Sequence, residues 1–167
     1  MGRWLGTPLA GRRNDVVAFV AVVAAAILMV CSGSIHIHLW DIAYRHVATL
    51  GPLFLVQAVA ALVLAVVLVV ARVVAVALAC MVLMVGTMVG FVLAASVGIF
   101  GFTLQIVTAW AYEALGAELL SAVVLGVLVL RSWRVVQAAQ VQVQQRGRGV
   151  SGGRDADHGR VEVTAPH

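Results

Sequence analysis

Between Pro52 and Val97 the chain carries one charged residue, Arg72. As a single straight helix this stretch would run about 69 Å at 1.5 Å per residue, more than twice the roughly 30 Å hydrocarbon thickness of a bilayer. It therefore has to turn, and Arg72, the one residue that gains from reaching the membrane surface, marks where. With 63% hydrophobic and 11% charged residues in 167, the chain has too little polar surface to cover a water-soluble core, and the composition is that of a membrane protein.

The length criterion predicts four spanning helices, over about 16–35, 52–71, 73–97 and 110–130. Lipid offers no partner to backbone N–H and C=O groups, and the runs lack the strict alternation of barrel strands, so helices are the only form that closes the backbone hydrogen bonds. The predicted fold is all-α, a polytopic membrane four-helix bundle over residues 16–131. Residues 1–15 read as a short mobile lead, with Gly2, Gly6, Pro8 and Gly11. Residues 132–167 read as a tail that starts as a short polar helix, RSWRVVQAAQVQVQQR, and is largely disordered after about 146, where glycine and polar residues dominate. Pro52 suits the first turn of the second helix, where its missing N–H has no partner to lose.

All eleven positive charges are arginine. Arg3, Arg12, Arg13, Arg72, Arg131, Arg134, Arg146 and Arg148 fall on one side of the predicted spans, and Arg45 falls on the other. The exclusive use of arginine points to a GC-rich bacterial genome and so to a bacterial plasma membrane as the setting, and the positive-inside rule places both termini in the cytoplasm (N-in/C-in). The pI near 10 follows from this asymmetry, so no nucleic-acid partner is expected; the lipid bilayer, a membrane protein partner or a second copy of the chain are. Arg12-Arg13 before an apolar run also fits the start of a secretory signal. No small-x-small cleavage site precedes Cys31, and Leu28-Met29-Val30 suits a lipoprotein site poorly, so the first helix is expected to be retained. Cys31 and Cys80 lie at different expected depths, and a disulfide between them is not expected.

Against this background residues 35–46, IHIHLWDIAYRH, stand out. By depth, His36, His38, Asp41, Arg45 and His46 at the end of the first helix share the outer half with Gln57 on the second and with Glu113 and Glu118 on the fourth. A charged carboxylate within the bilayer costs about 2.5 to 3.5 kcal/mol, so Glu118 should face the bundle interior, carry a proton or pair with a cation. These eight residues form the predicted outward-facing pocket. In a metal reading, an extended His36-x-His38 puts both rings on one face, and a third N or O ligand would make a set suited to zinc or copper; nothing in the pattern calls for a cofactor. Along a helix the same two rings would diverge by about 160°. In a proton reading, Glu113 and Glu118 exchange protons with the imidazoles, although nothing polar continues toward the cytoplasm. A haem would need a histidine from a second helix, and no nucleophile triad spacing is present. An interfacial reading needs no chemistry: Trp40 and Tyr44 belong to the aromatic belt, and Asp41 and Arg45 are spaced as a helical ion pair, so LWDIAYRHVA would lie on the membrane surface.

Met81, Met84 and Met88 share one helical face, a soft-ligand pattern that ordinary packing also explains. Gly86-x-x-x-Gly90 on the third helix predicts a close packing seam, within the bundle or between protomers. The combination of His36, His38, Leu39, Tyr44-Arg45, Thr49, Gly51-Pro52-Leu53-Phe54 and Gly98-Ile99-Phe100-Gly101-Phe102 resembles small four-helix membrane proteins of actinobacteria over about residues 16–131. That resemblance implies the fold and carries no activity. The cysteine pairs of disulfide-forming four-helix quinone enzymes are absent. The sequence thus leads first to a non-enzymatic accessory or small subunit that acts by association. Its alternative is a protein handling a metal, a proton or a small ligand through the histidine and glutamate cluster.

Overall fold

The computed structural model describes residues 5–9, 16–98 and 109–158, with side chains as far as 144. It contains four long helices: α1 (Val16–Leu39), α2 (Leu50–Ala71), α3 (Val74–Ser96) and α4 (Ala109–His158). Each is long and apolar enough to cross a bilayer, so the chain is a multi-pass membrane protein. Among the described residues there is no strand, only one bridge between Pro8 and Val73. Helix α1 packs on α2 and α4, and α3 packs on the same two from the opposite corner, which makes a four-cornered bundle.

Because these helices are apolar on every side, the inward face is marked by size and polarity instead of hydrophobicity. On α1 the buried residues include Ala18, Val22, Ala25, Met29, Ser32, His36 and Leu39. On α4 they are Ala114, Glu118, Ser121, Leu125, Leu128 and Ser132, with Val129 beside them. Both series step alternately by three and four residues, the 3.5-residue period of left-handed bundle packing. Helix α2 buries Ala58, Ala61, Ala65 and Leu68, and its small side chains let α1 come close. A Cβ added at Gly33 would lie 3.2 Å from the Ala58 carbonyl oxygen and 3.4 Å from the Ala61 Cβ.

The predicted turn near Arg72 is present and takes only two residues. Arg72 adopts the left-handed conformation (φ 49°) and its N–H donates to the Leu68 carbonyl, closing α2; Val73 is extended and leads into α3. A left-handed arginine costs about 1 to 2 kcal/mol. Its side chain offsets part of this: the guanidinium sits 4.4 Å over the Phe19 ring and its Nε–H donates to the Val69 carbonyl. Arg72→Asn keeps a residue that tolerates this conformation and removes the stacking. It should lower stability in detergent by about 0.5 to 1 kcal/mol, read from unfolding curves; no change would mean the stacking contributes nothing.

Part of the lead, expected to be mobile, is anchored to this turn. The Leu9 N–H donates to the Arg72 carbonyl, the Val74 N–H donates to the Thr7 carbonyl, and Leu9 is buried. The first exposed N–H of α3 thus receives a backbone partner that a two-residue turn cannot supply.

At the opposite end α1 does not stop near Ile35. It continues through His36 and His38 to Leu39 and then widens into a π-helical turn, Trp40–Tyr44, closed by the Arg45 N–H donating to the Trp40 carbonyl five residues back at 2.8 Å. The segment read as extended, or as a separate surface helix, is therefore an extension of α1. A tight connection follows, and α2 begins at Leu50 with Pro52 in its first turn. Helix α4 is 50 residues long, about 75 Å at 1.5 Å per residue. It runs past the predicted span and is helical through His158, including part of the tail expected to be disordered.

Candidate functional site

Among the described residues the buried polar side chains are Ser32, His36, Glu118, Ser121 and Ser132. All five lie on α1 or α4, so the α1/α4 seam is the polar seam of the bundle. Ser132 bonds back to the Leu128 carbonyl of its own helix, the usual way for a helical hydroxyl to satisfy itself; Ser34, Thr87 and Ser96 do the same. Ser121 reaches across, at 3.5 Å from the Ala25 carbonyl. Ser32 crosses the seam more tightly, its hydroxyl donating to Glu118 Oε1 at 3.0 Å.

His36 sits one turn beyond Ser32, on the same stripe. Its Nδ1 is 2.9 Å from the Ser32 carbonyl oxygen, which can only accept, so Nδ1 carries a hydrogen. Its other nitrogen, Nε2, then faces Glu118 Oε1 at 3.8 Å, with side-chain exposures of 8% and 2%. In a neutral ring Nε2 presents a lone pair, and an ionised Glu118 would present another. Two lone pairs opposed in a dry interior repel, whereas one proton on either atom makes the contact attractive. The geometry therefore accommodates a single proton held between His36 and Glu118.

The ring of His36 is fixed from the other side. It packs on Phe54 of α2, centroids 5.3 Å apart, and Phe54 in turn stacks on Tyr44 at 4.5 Å. Gly51 permits this arrangement, since a Cβ there would lie 2.6 Å from the Tyr44 carbonyl oxygen.

Of the eight predicted pocket residues, the structure brings two together in the buried interior, His36 and Glu118. The helical course of α1 separates His36 from His38: His38 is exposed and meets the edge of Trp110, centroids 4.9 Å apart. A His36–His38 metal pair is not formed, and no cluster of three histidine, cysteine, aspartate or glutamate side chains exists among the described residues. Asp41 and Arg45 make the expected i,i+4 pair at 3.5 Å on the surface, and Arg45 Nε–H also donates to His46 Nε2 at 3.0 Å. Glu113 is exposed on α4. Gln57 is partly buried, and no described residue accepts a hydrogen bond from its Nε2. Cys31 and Cys80 are both free thiols. Met84 is fully buried in the core, in keeping with methionine as packing.

Gly86 and Gly90 do not form a seam inside the bundle: a Cβ at either would meet nothing within 4 Å among the described residues. The close small-residue crossing is made by Gly33 and the alanines of α2 instead. Sequence reasoning also passed over Ser32 and Ser121 as bundle residues. The signal was available, since Ser32 and His36 are four apart and Glu118 and Ser121 three apart, each pair continuing a stripe of small residues at the same period.

Comparison of the chain with known protein families, curated proteins and solved structures finds no match.

Proposed function

We propose that this chain is a non-enzymatic component of a bacterial plasma membrane, with its arginine-bearing ends inside, in which Ser32, His36 and Glu118 bind and release a proton. One observation carries the reading: a buried carboxylate oxygen faces an imidazole nitrogen whose ring is held in one tautomer by a backbone carbonyl. The actinobacterial resemblance fits the setting and adds no activity. Toward the arginine end the seam holds Ser121 and Ser132, each bonded to a backbone carbonyl, and between them the buried apolar side chains of Leu125 and Leu128, with Met29 facing them from α1. Binding a proton from one side therefore suits the site better than conducting it across.

Infrared difference spectra of the full chain in lipid, recorded across a pH step, test this directly. A protonated-carboxyl band is expected that disappears in Glu118→Gln and shifts in His36→Ala. A spectrum with no band sensitive to Glu118→Gln removes the proposal.

A second reading, association with a membrane partner or another copy, is favoured by the open space over Gly86 and Gly90. Leucine at both positions should leave the thermal unfolding of the solubilised chain unchanged and abolish its chemical crosslinking in native membranes. Unaltered crosslinking would dismiss this face as the contact.

A further inference from the structure

The contacts between helices fix the register of the bundle. Cys80 on α3 donates weakly to the Leu64 carbonyl on α2; because the two helices are antiparallel, two turns outward from that contact bring Gln57 level with Thr87. On the other flank of α2, Gly33 lies against Ala58 and His36 against Phe54, so Gln57 is also level with the Ser32–His36 turn. One layer of the bundle thus receives a polar side chain from every helix: Ser32 and His36, Gln57, Thr87 and Glu118.

Three of these helices satisfy their polar groups internally. The Thr87 hydroxyl donates to the Leu83 carbonyl, while Ser32, His36 and Glu118 serve one another. Gln57 differs: its Nε2 is buried with no acceptor among the described residues. A buried amide left unpaired costs about 1 to 3 kcal/mol, in a helix where every neighbouring position is aliphatic, aromatic or alanine. Such a group calls for an acceptor that the described side chains do not provide. Among the described residues the layer carries no lysine or arginine that would balance an anion, which favours a neutral acceptor. Water meets this condition and also donates, so it can pass a proton on to a carboxyl group.

We propose that Gln57 seats an ordered water through which protons reach the Ser32–His36–Glu118 cluster from the histidine end of the bundle. This inference rests on the proton-binding reading of that cluster. Gln57 is a positioning residue in it, acting through the water and never touching the proton's final site. The other titratable or charged groups toward that end are Cys31, His38, Asp41, Arg45 and His46 on α1 and its extension and Tyr112 and Glu113 on α4, all exposed, together with the half-buried Tyr44; α2 and α3 contribute none among the described residues.

The test is the rate at which the Glu118 carboxyl band shifts after the full chain in lipid is moved from H2O to D2O. Gln57→Met keeps the length and flexibility of the side chain without the amide, and should slow the shift by about tenfold or more; Gln57→Asn, which retains an amide, should remain close to the unsubstituted chain. Should the methionine variant fail to fold, Gln57→Leu takes its place. A band that is present and abolished by Glu118→Gln, but shifts at the original rate in the apolar variant, overturns the water relay and leaves the proton site standing. Absence of any such band in the unsubstituted chain overturns both.

Discussion

Alanine at His36 is expected to destabilise the bundle by about 2 to 4 kcal/mol, because it removes a ring packed against Phe54 and leaves a cavity beside a buried Glu118 held by Ser32 alone. Leucine at Glu118 should cost less, about 1 to 2 kcal/mol. Ser32 can then turn its hydroxyl to its own helix, as Ser34 does, and only His36 Nε2 is orphaned. Glutamine at Glu118 should cost under about 1 kcal/mol, since its carbonyl can accept from Ser32 and its NH2 can donate to His36 Nε2, as a protonated carboxyl would. Unfolding of the three variants in detergent, at a pH where the parent chain is fully folded, gives the ranking. If glutamine proves as damaging as leucine, the proton resides on His36 as an ion pair and not on the Glu118 carboxyl group.

Valine at Gly51 should cost at least about 2 kcal/mol. The atom its Cβ meets, at 2.6 Å, is the Tyr44 backbone carbonyl oxygen, and a carbonyl in a closed turn cannot yield as a flexible side chain would. The damage should travel along a defined line, since displacing Tyr44 loosens its stack on Phe54 and so the seat of His36. The variant should therefore also broaden the His36 imidazole signals in NMR spectra. Valine at Gly86, where space is open, should leave both stability and those signals unchanged. Equal losses at the two glycines would contradict the packing described for the turn.

The four spans and the turn at Arg72 were legible because they follow from length and hydropathy alone, which a bilayer reads as strictly as any measurement does. Which face of each helix turns inward was not, because valine, leucine and alanine occupy every side and hydrophobicity carries no direction there. Direction lay in the polar and small residues, and its effect shows in Gly33 against Gly86: both sit among small residues, and only the one facing the alanines of α2 is used within the chain. Depth correctly grouped His36 with Glu118, but depth alone cannot say that His38, two residues on, points elsewhere. That depends on α1 staying helical past Ser32-Gly33-Ser34, where the local sequence permits unwinding and packing on α2 prevents it. The π-helical turn at Trp40–Tyr44 was not legible, because hydrophobic periodicity does not distinguish a five-residue backbone bond from the four-residue bond of the helix it extends.

The backbone pairing of Thr7 and Leu9 with the Arg72–Val74 turn bears on how the protein is made. A chain leaves the ribosome from its first residue, yet these early residues have nothing to bind until α2 and the start of α3 have followed them. Two helices joined by so short a turn must enter the bilayer together as a hairpin, and only then does the docking place exist. The lead and the turn share a side only when α1 and α2 have both crossed the bilayer, so the pairing acts as a latch that closes on a chain in which both have inserted and stays open on one in which α1 has not.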